Sequence, residues 1–84
     1  MTRLSDVVAA NVRAERARRR WSQQELADRS GLSRSTIADL EIGTRRITAD
    51  HLPVLCRAFG VTFAEMIRGA DGDDVQALGI SPQQ

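Results

Sequence analysis

The chain repeats one local pattern: an apolar residue, then Ser or Thr, then a second apolar residue four places further on. It occurs five times, as Leu4-Ser5…Ala9, Trp21-Ser22…Leu26, Leu32-Ser33…Ile37, Ile47-Thr48…Leu52 and Val61-Thr62…Met66. A hydroxyl so placed accepts a hydrogen bond from a free N–H in the first turn of a helix. The flanking apolar pair closes over that turn as a hydrophobic staple. Ser22-x-x-Glu25 and Thr62-x-x-Glu65 also have the spacing of a capping box, in which the glutamate answers the hydroxyl. Stops match the starts, because Gly31, Gly43, Gly60 and Gly69 follow Leu26–Ser30, Ile37–Ile42, Leu55–Phe59 and Met66–Arg68, where a helix C-cap favours glycine. The pattern predicts five helices, over 5–19, 23–30, 34–42, 49–59 and 63–68. Pro53 suits a first helical turn, so the fourth helix is expected to start late or irregularly. No segment alternates with the period of two that a strand requires.

Apolar spacing on these helices supplies one small core. Val8 and Val12 share a face, Leu26 and Ala27 follow, and Ile37 and Leu40 lie on the third helix. Leu52, Leu55, Cys56 and Phe59 line the fourth, Val61 bridges, and Phe63, Met66 and Ile67 serve the fifth. With 84 residues this makes a single all-α domain over 1–69, followed by a flexible acidic tail over 70–84. Net charge is only +1, but it is unevenly spread: residues 3–20 carry +4 and the tail −3. The basic body admits nucleic acid or an acidic protein as partner. Arg18, Arg19 and Arg20 equally fit a solvated helix end, where cations suit the helix dipole.

The second and third predicted helices are separated by only Gly31-Leu32-Ser33, a link that sets two helices at a steep angle. Ala27 is small where the third helix crosses above it. The series Gln23-Gln24-Glu25-Leu26-Ala27, Gly31-Leu32-Ser33, Ile37-Ala38-Asp39-Leu40-Glu41 and Gly43 resembles the DNA-binding helix-turn-helix of the phage repressor and Cro type, the XRE family. The likeness runs from about Val8 to Arg68 and continues through Leu52, Leu55 and Ala58-Phe59-Gly60-Val61.

That resemblance implies a compact five-helix, lambda-repressor-like fold whose third helix enters the major groove with its N-terminal residues against base edges. Arg34, Ser35, Ala38 and Asp39 then face outward. Arg34 suits guanine, because its fork matches O6 and N7. Ser35 suits several bases, and Ala38 a thymine methyl. Asp39 either accepts from cytosine N4, braces an arginine, or is a solvated charge. Gln23, Ser33, Thr36 and the loop Thr44-Arg45-Arg46 are expected on phosphates; for the loop the competing expectation is plain solvation. Arg16 and Glu41 occupy positions that pair in relatives, which implies a structural ion pair. Three positions depart from the pattern: Ser30, which can bond back to the Leu26 carbonyl; Ile42, at a usually polar place, suited to a sugar or dimer contact; and Ile47, where proline is frequent.

Useful specificity takes two copies on half-sites one helical turn apart, so a homodimer on a palindromic operator is expected. Val61, Phe63, Met66 and Ile67 are the candidate interface, with Leu78 and Ile80 of the tail as further candidates; the competing expectation is that they only close the monomer core. The function implied is transcriptional regulation, as a repressor or autoregulator of the phage-repressor, restriction–modification-controller or antitoxin kind. The alternative is a module that works through a protein partner. An enzyme is not expected: the single His has no evident orienting acid, and no nucleophile–base pair is legible. One Cys and one His leave no metal cluster, and no cofactor is expected. Cys56 is expected as a buried small hydrophobe. No apolar run suits a membrane span and the start has no signal-peptide core, so a cytoplasmic protein of bacterial or phage origin is expected.

Overall fold

Serine and threonine caps set most of the helix starts seen in the computed structural model, which describes residues 3–69. In chain order the helices are α1 (Leu4–Arg19), α2 (Gln23–Ser30), α3 (Arg34–Ile42), α4 (His51–Phe59) and α5 (Phe63–Met66). Among the described residues there is no strand. The expected tail, 70–84, lies outside the described residues.

Three caps form as the sequence suggests. Ser22, Ser33 and Thr62 accept from the backbone N–H groups of Glu25, Thr36 and Glu65. Thr62 and Glu65 complete a reciprocal capping box. Ser22 and Glu25 do not, because the Glu25 carboxylate pairs with Arg29 at 2.8 Å instead. Ser5 is not a cap either. α1 begins a residue earlier, and the extended residue Arg3 offers its carbonyl to the N–H groups of Asp6 and Val7.

At α4 the roles reverse. The Thr48 N–H donates to Nδ1 of His51 at 3.0 Å, and the Thr48 carbonyl accepts from the N–H groups of His51 and Leu52. The helix proper therefore starts at His51 rather than 49, and Pro53 falls in its first turn, where a missing N–H costs no helical bond. α5 is also shorter than expected, because residues 67–69 form a turn.

The core joins all five helices through Val8, Val12, Leu26, Ala27, Ile37, Leu40, Leu55, Phe59, Met66 and Ile67. Leu52, Cys56, Val61 and Phe63 pack against it but stay half-buried. Cys56 is thus less enclosed than the sequence suggests; burial, then the nearby Glu65 charge, still push its thiol pKa up. Val7 and Ala9 are buried beyond the expected set. Asn11 reaches across from α1 to the carbonyls of Met66 and Arg68, at 2.7 and 2.9 Å, and ties off the last turn.

At the junction of α1, α2 and α4, Trp21 stacks on Phe59 with ring centroids 5.6 Å apart. The Arg29 guanidinium lies 4.3 Å from the Trp21 centroid, and Arg19 lies 5.0 Å from that of Phe59. Such cation–π contacts add to the apolar packing.

Candidate nucleic-acid interface

The link between α2 and α3 depends on Gly31, whose φ of 82° is left-handed and strains any residue with a Cβ. Ser33 then opens α3. Its hydroxyl oxygen accepts from the Thr36 N–H at 3.1 Å, and its O–H donates to Thr36 Oγ1 at 2.8 Å. Capping uses up the Ser33 hydroxyl, so the Thr36 hydroxyl proton and the free N–H groups of the first turn remain for an anion. The Ser30 hydroxyl does not reach the Leu26 carbonyl. It is 3.5 Å from that of Ala27, and it accepts from the Leu32 N–H at 3.2 Å.

Arg34 and Ser35 stand exposed at the start of α3, and Ala38 and Asp39 half-exposed one turn on. Ile37 and Leu40 anchor the opposite face in the core. Glu41, 2% exposed, holds the helix at its far end. Its carboxylate accepts Arg16 Nε at 2.8 Å and Nη2 at 3.0 Å, a fork-on-fork pair. It also accepts Gln23 Nε2 at 3.2 Å, which places the first residue of α2 against the last turn of α3. The Glu41 carbonyl accepts from Arg13. The Glu41 hydrogen bond raises the Arg16 pKa above its ordinary value despite partial desolvation.

Beyond α3 the exposed loop folds back on Asp39. The Asp39 carbonyl accepts from the N–H groups of Thr44 and Arg45, and the Asp39 carboxylate lies 3.8 Å from Arg45 Nη2. Asp39 thus braces an arginine and offsets part of its charge. Among the described residues, Arg34 and Arg46 enter no ion pair, and both are exposed.

Of the arginines expected as a solvated helix end, Arg18 and Arg20 stay exposed and Arg19 does not. Arg18 and Arg19 both pair with Glu15, which is 6% exposed, and Arg19 also donates to the Phe59 carbonyl. With Arg16 on Glu41, two of the α1 arginines, Arg16 and Arg19, are held against the fold. Buried Glu15 and the Asn11 bonds are missed by sequence reasoning. Glu15 lies four and three residues before Arg19 and Arg18, a spacing that signals the pairs but not the burial.

Met66 and Ile67 are buried in the monomer core, so their side chains present no free surface for the expected interface. Val61 and Phe63 remain half-buried. Phe63 lines an apolar groove of 380 Å³ with Ala49, Leu52, Pro53 and Cys56. Among the described residues, no cluster of His, Cys, Asp or Glu could hold a metal ion, and no helix is long and apolar enough to cross a membrane.

Comparison with known proteins agrees with this geometry. The helix-turn-helix family model HTH_3 matches residues 12–66. The chain is 36% identical over 63 residues to a competence pilus inhibition repressor of Acinetobacter baylyi, covering 75% of this chain but only 57% of that protein. It is 31% identical over 64 residues to the control protein C.SmaI of Serratia marcescens, covering 76% of each. Among solved structures, the clp gene regulator ClgR of Corynebacterium glutamicum matches with a TM-score of 0.75 and 28% identity, over 93% of this chain and 84% of that one.

Proposed function

The chain belongs to the helix-turn-helix family HTH_3 and carries the fold of its DNA-binding transcription regulators, and we propose that it is a sequence-specific repressor or autoregulator that binds a palindromic operator as a homodimer. The observation that carries this is the division of labour on α3. One face is fixed by Ile37, Leu40 and the Arg16–Glu41 pair; the other holds Arg34, Ser35, Ala38 and Asp39 out to solvent. A helix held this firmly and left bare along one face is suited to reading a groove.

Arg34 is the guanine reader, Ser35 and Ala38 adjust the preference, and Asp39 steadies Arg45 over a phosphate. Thr36, Gln23, Thr44 and Arg46 complete the backbone contacts, while Ser33 serves chiefly as the cap. The domain is residues 1–69, with the acidic segment 70–84 following it. The second copy docks through Val61, Phe63 and the groove beside them. The chain has no catalytic role, uses no cofactor and acts in the cytoplasm.

Selection of bound duplexes from a random pool, with the full chain near physiological salt, tests this. Enrichment of a two-fold symmetric site is the expected result, with half-site centres one helical turn apart. No enrichment from folded protein would overturn the reading and leave a module that docks proteins. Enrichment of a single half-site would keep the DNA reading and overturn the dimer.

A further inference from the structure

Ile42 is 71% exposed, the one large hydrophobic residue so exposed among the described residues. A lone exposed apolar side chain is ordinary on a protein surface; the place of this one is not. It continues the outward stripe of Ser35, Ala38 and Asp39 at helical spacing, opposite buried Ile37 and Leu40. It is also the last residue of α3, and the loop carrying Thr44, Arg45 and Arg46 begins directly after it.

We propose that Ile42 packs against deoxyribose at the rim of the major groove and supplies an apolar, sequence-independent share of DNA affinity. This rests on the DNA-binding reading of α3. Along the helix axis Ile42 lies about 12 Å from Arg34. With the first turn against base edges, the last turn reaches the groove wall. It then stands between the side chains that read bases and the loop that holds phosphates, and what lies between bases and phosphates is the sugar. The side chain fits that neighbour. It has no donor for phosphate and no acceptor for a base, and its β-branch leaves it stiff on the helix. The turn beneath it is held by the Arg13 bond to the Glu41 carbonyl and by Gly43 in a left-handed C-cap. A sugar contact here adds affinity without adding charge.

The test compares wild type with Ile42→Ala, using the selected operator and a scrambled duplex over a range of salt. The expected loss is about five- to tenfold on both duplexes, the scale of a few methyl groups partly withdrawn from water. The slope of log affinity against log salt stays unchanged, because no counterion release is lost. Ile42→Asn should lose as much. Three outcomes overturn the proposal: no loss on either duplex, a loss confined to one base position, or a weakened dimer in the absence of DNA. If wild type prefers no sequence at all, the reading of α3 itself fails. If wild type holds its operator and Ile42→Ala binds equally well, only the sugar contact fails. Thermal melting checks the fold of each variant; at an exposed position it should move little.

Discussion

Glu41 is a single carboxylate with three donor atoms on it, and it is out of reach of water. Arg16→Met therefore strands a buried charge, and urea unfolding should show a loss of about 3 kcal/mol or more. The double variant Arg16→Met/Glu41→Leu removes the charge as well as its partner, and should recover most of that loss. At the exposed end of the same helix the effect is on recognition. Arg34→Ala should leave stability alone and lose about 1–3 kcal/mol of discrimination at one base pair, read by competition between single-base variants of the operator. Arg46→Ala should weaken all sequences alike and take about one from the salt slope. Arg45→Ala should take less, since Asp39 already offsets part of that charge.

Helix starts and stops are set locally, and the elements show where local signals suffice. Ser22, Ser33 and Thr62 cap as their spacing suggests, because each lies in an extended residue directly before its helix. Ser5 fails because α1 begins upstream of it, and Thr48 yields the accepting role to a histidine ring nitrogen, a substitution that no hydroxyl pattern encodes. Cap Arg20 ends α1 with φ at 59° and no glycine to announce it. The face of α3 is legible in the spacing of Ile37 and Leu40. The Arg16–Glu41 pair, 25 residues apart, is legible only through the family resemblance, and the Arg19–Phe59 bond, 40 apart, is not legible at all. For α5, Thr62→Ala should cost about 1 kcal/mol. Glu65 adds a pH signature: the Thr62 backbone N–H holds its carboxyl below the ordinary value of 4.5, with the Thr62 hydroxyl helping. A depressed folded pKa stabilises above 4.5 and stops doing so as the pH falls through the folded value. Thermal melts of wild type and Glu65→Ala should thus differ at pH 6 and converge toward pH 3.

For the whole molecule, the proposed function puts recognition and assembly on separate parts. The proposed DNA contacts lie mainly on α3 and the loop after it, whereas Leu52, Pro53, Cys56 and Phe63 of the groove belong to α4 and α5. Phe63→Asp should weaken dimerisation by about 2 kcal/mol or more, read by sedimentation, while each monomer keeps its half-site preference. The loss of Met66 and Ile67 to the monomer core follows from size. A chain this short has few apolar side chains to spare, so those with the deepest reach are taken by its own interior.

The stack of Arg29, Trp21 and Phe59 has a practical meaning. Trp21 is the only tryptophan and there is no tyrosine, so near-ultraviolet light excites in effect one chromophore, at the seam of three helices. Opening that seam exposes the indole to water and moves its emission to the red, so folding can be followed optically with no label attached. None of the residues proposed to touch DNA lies in the stack. A titration with operator that left the emission in place while a denaturant moved it would separate the recognition surface from the structural frame in one cuvette.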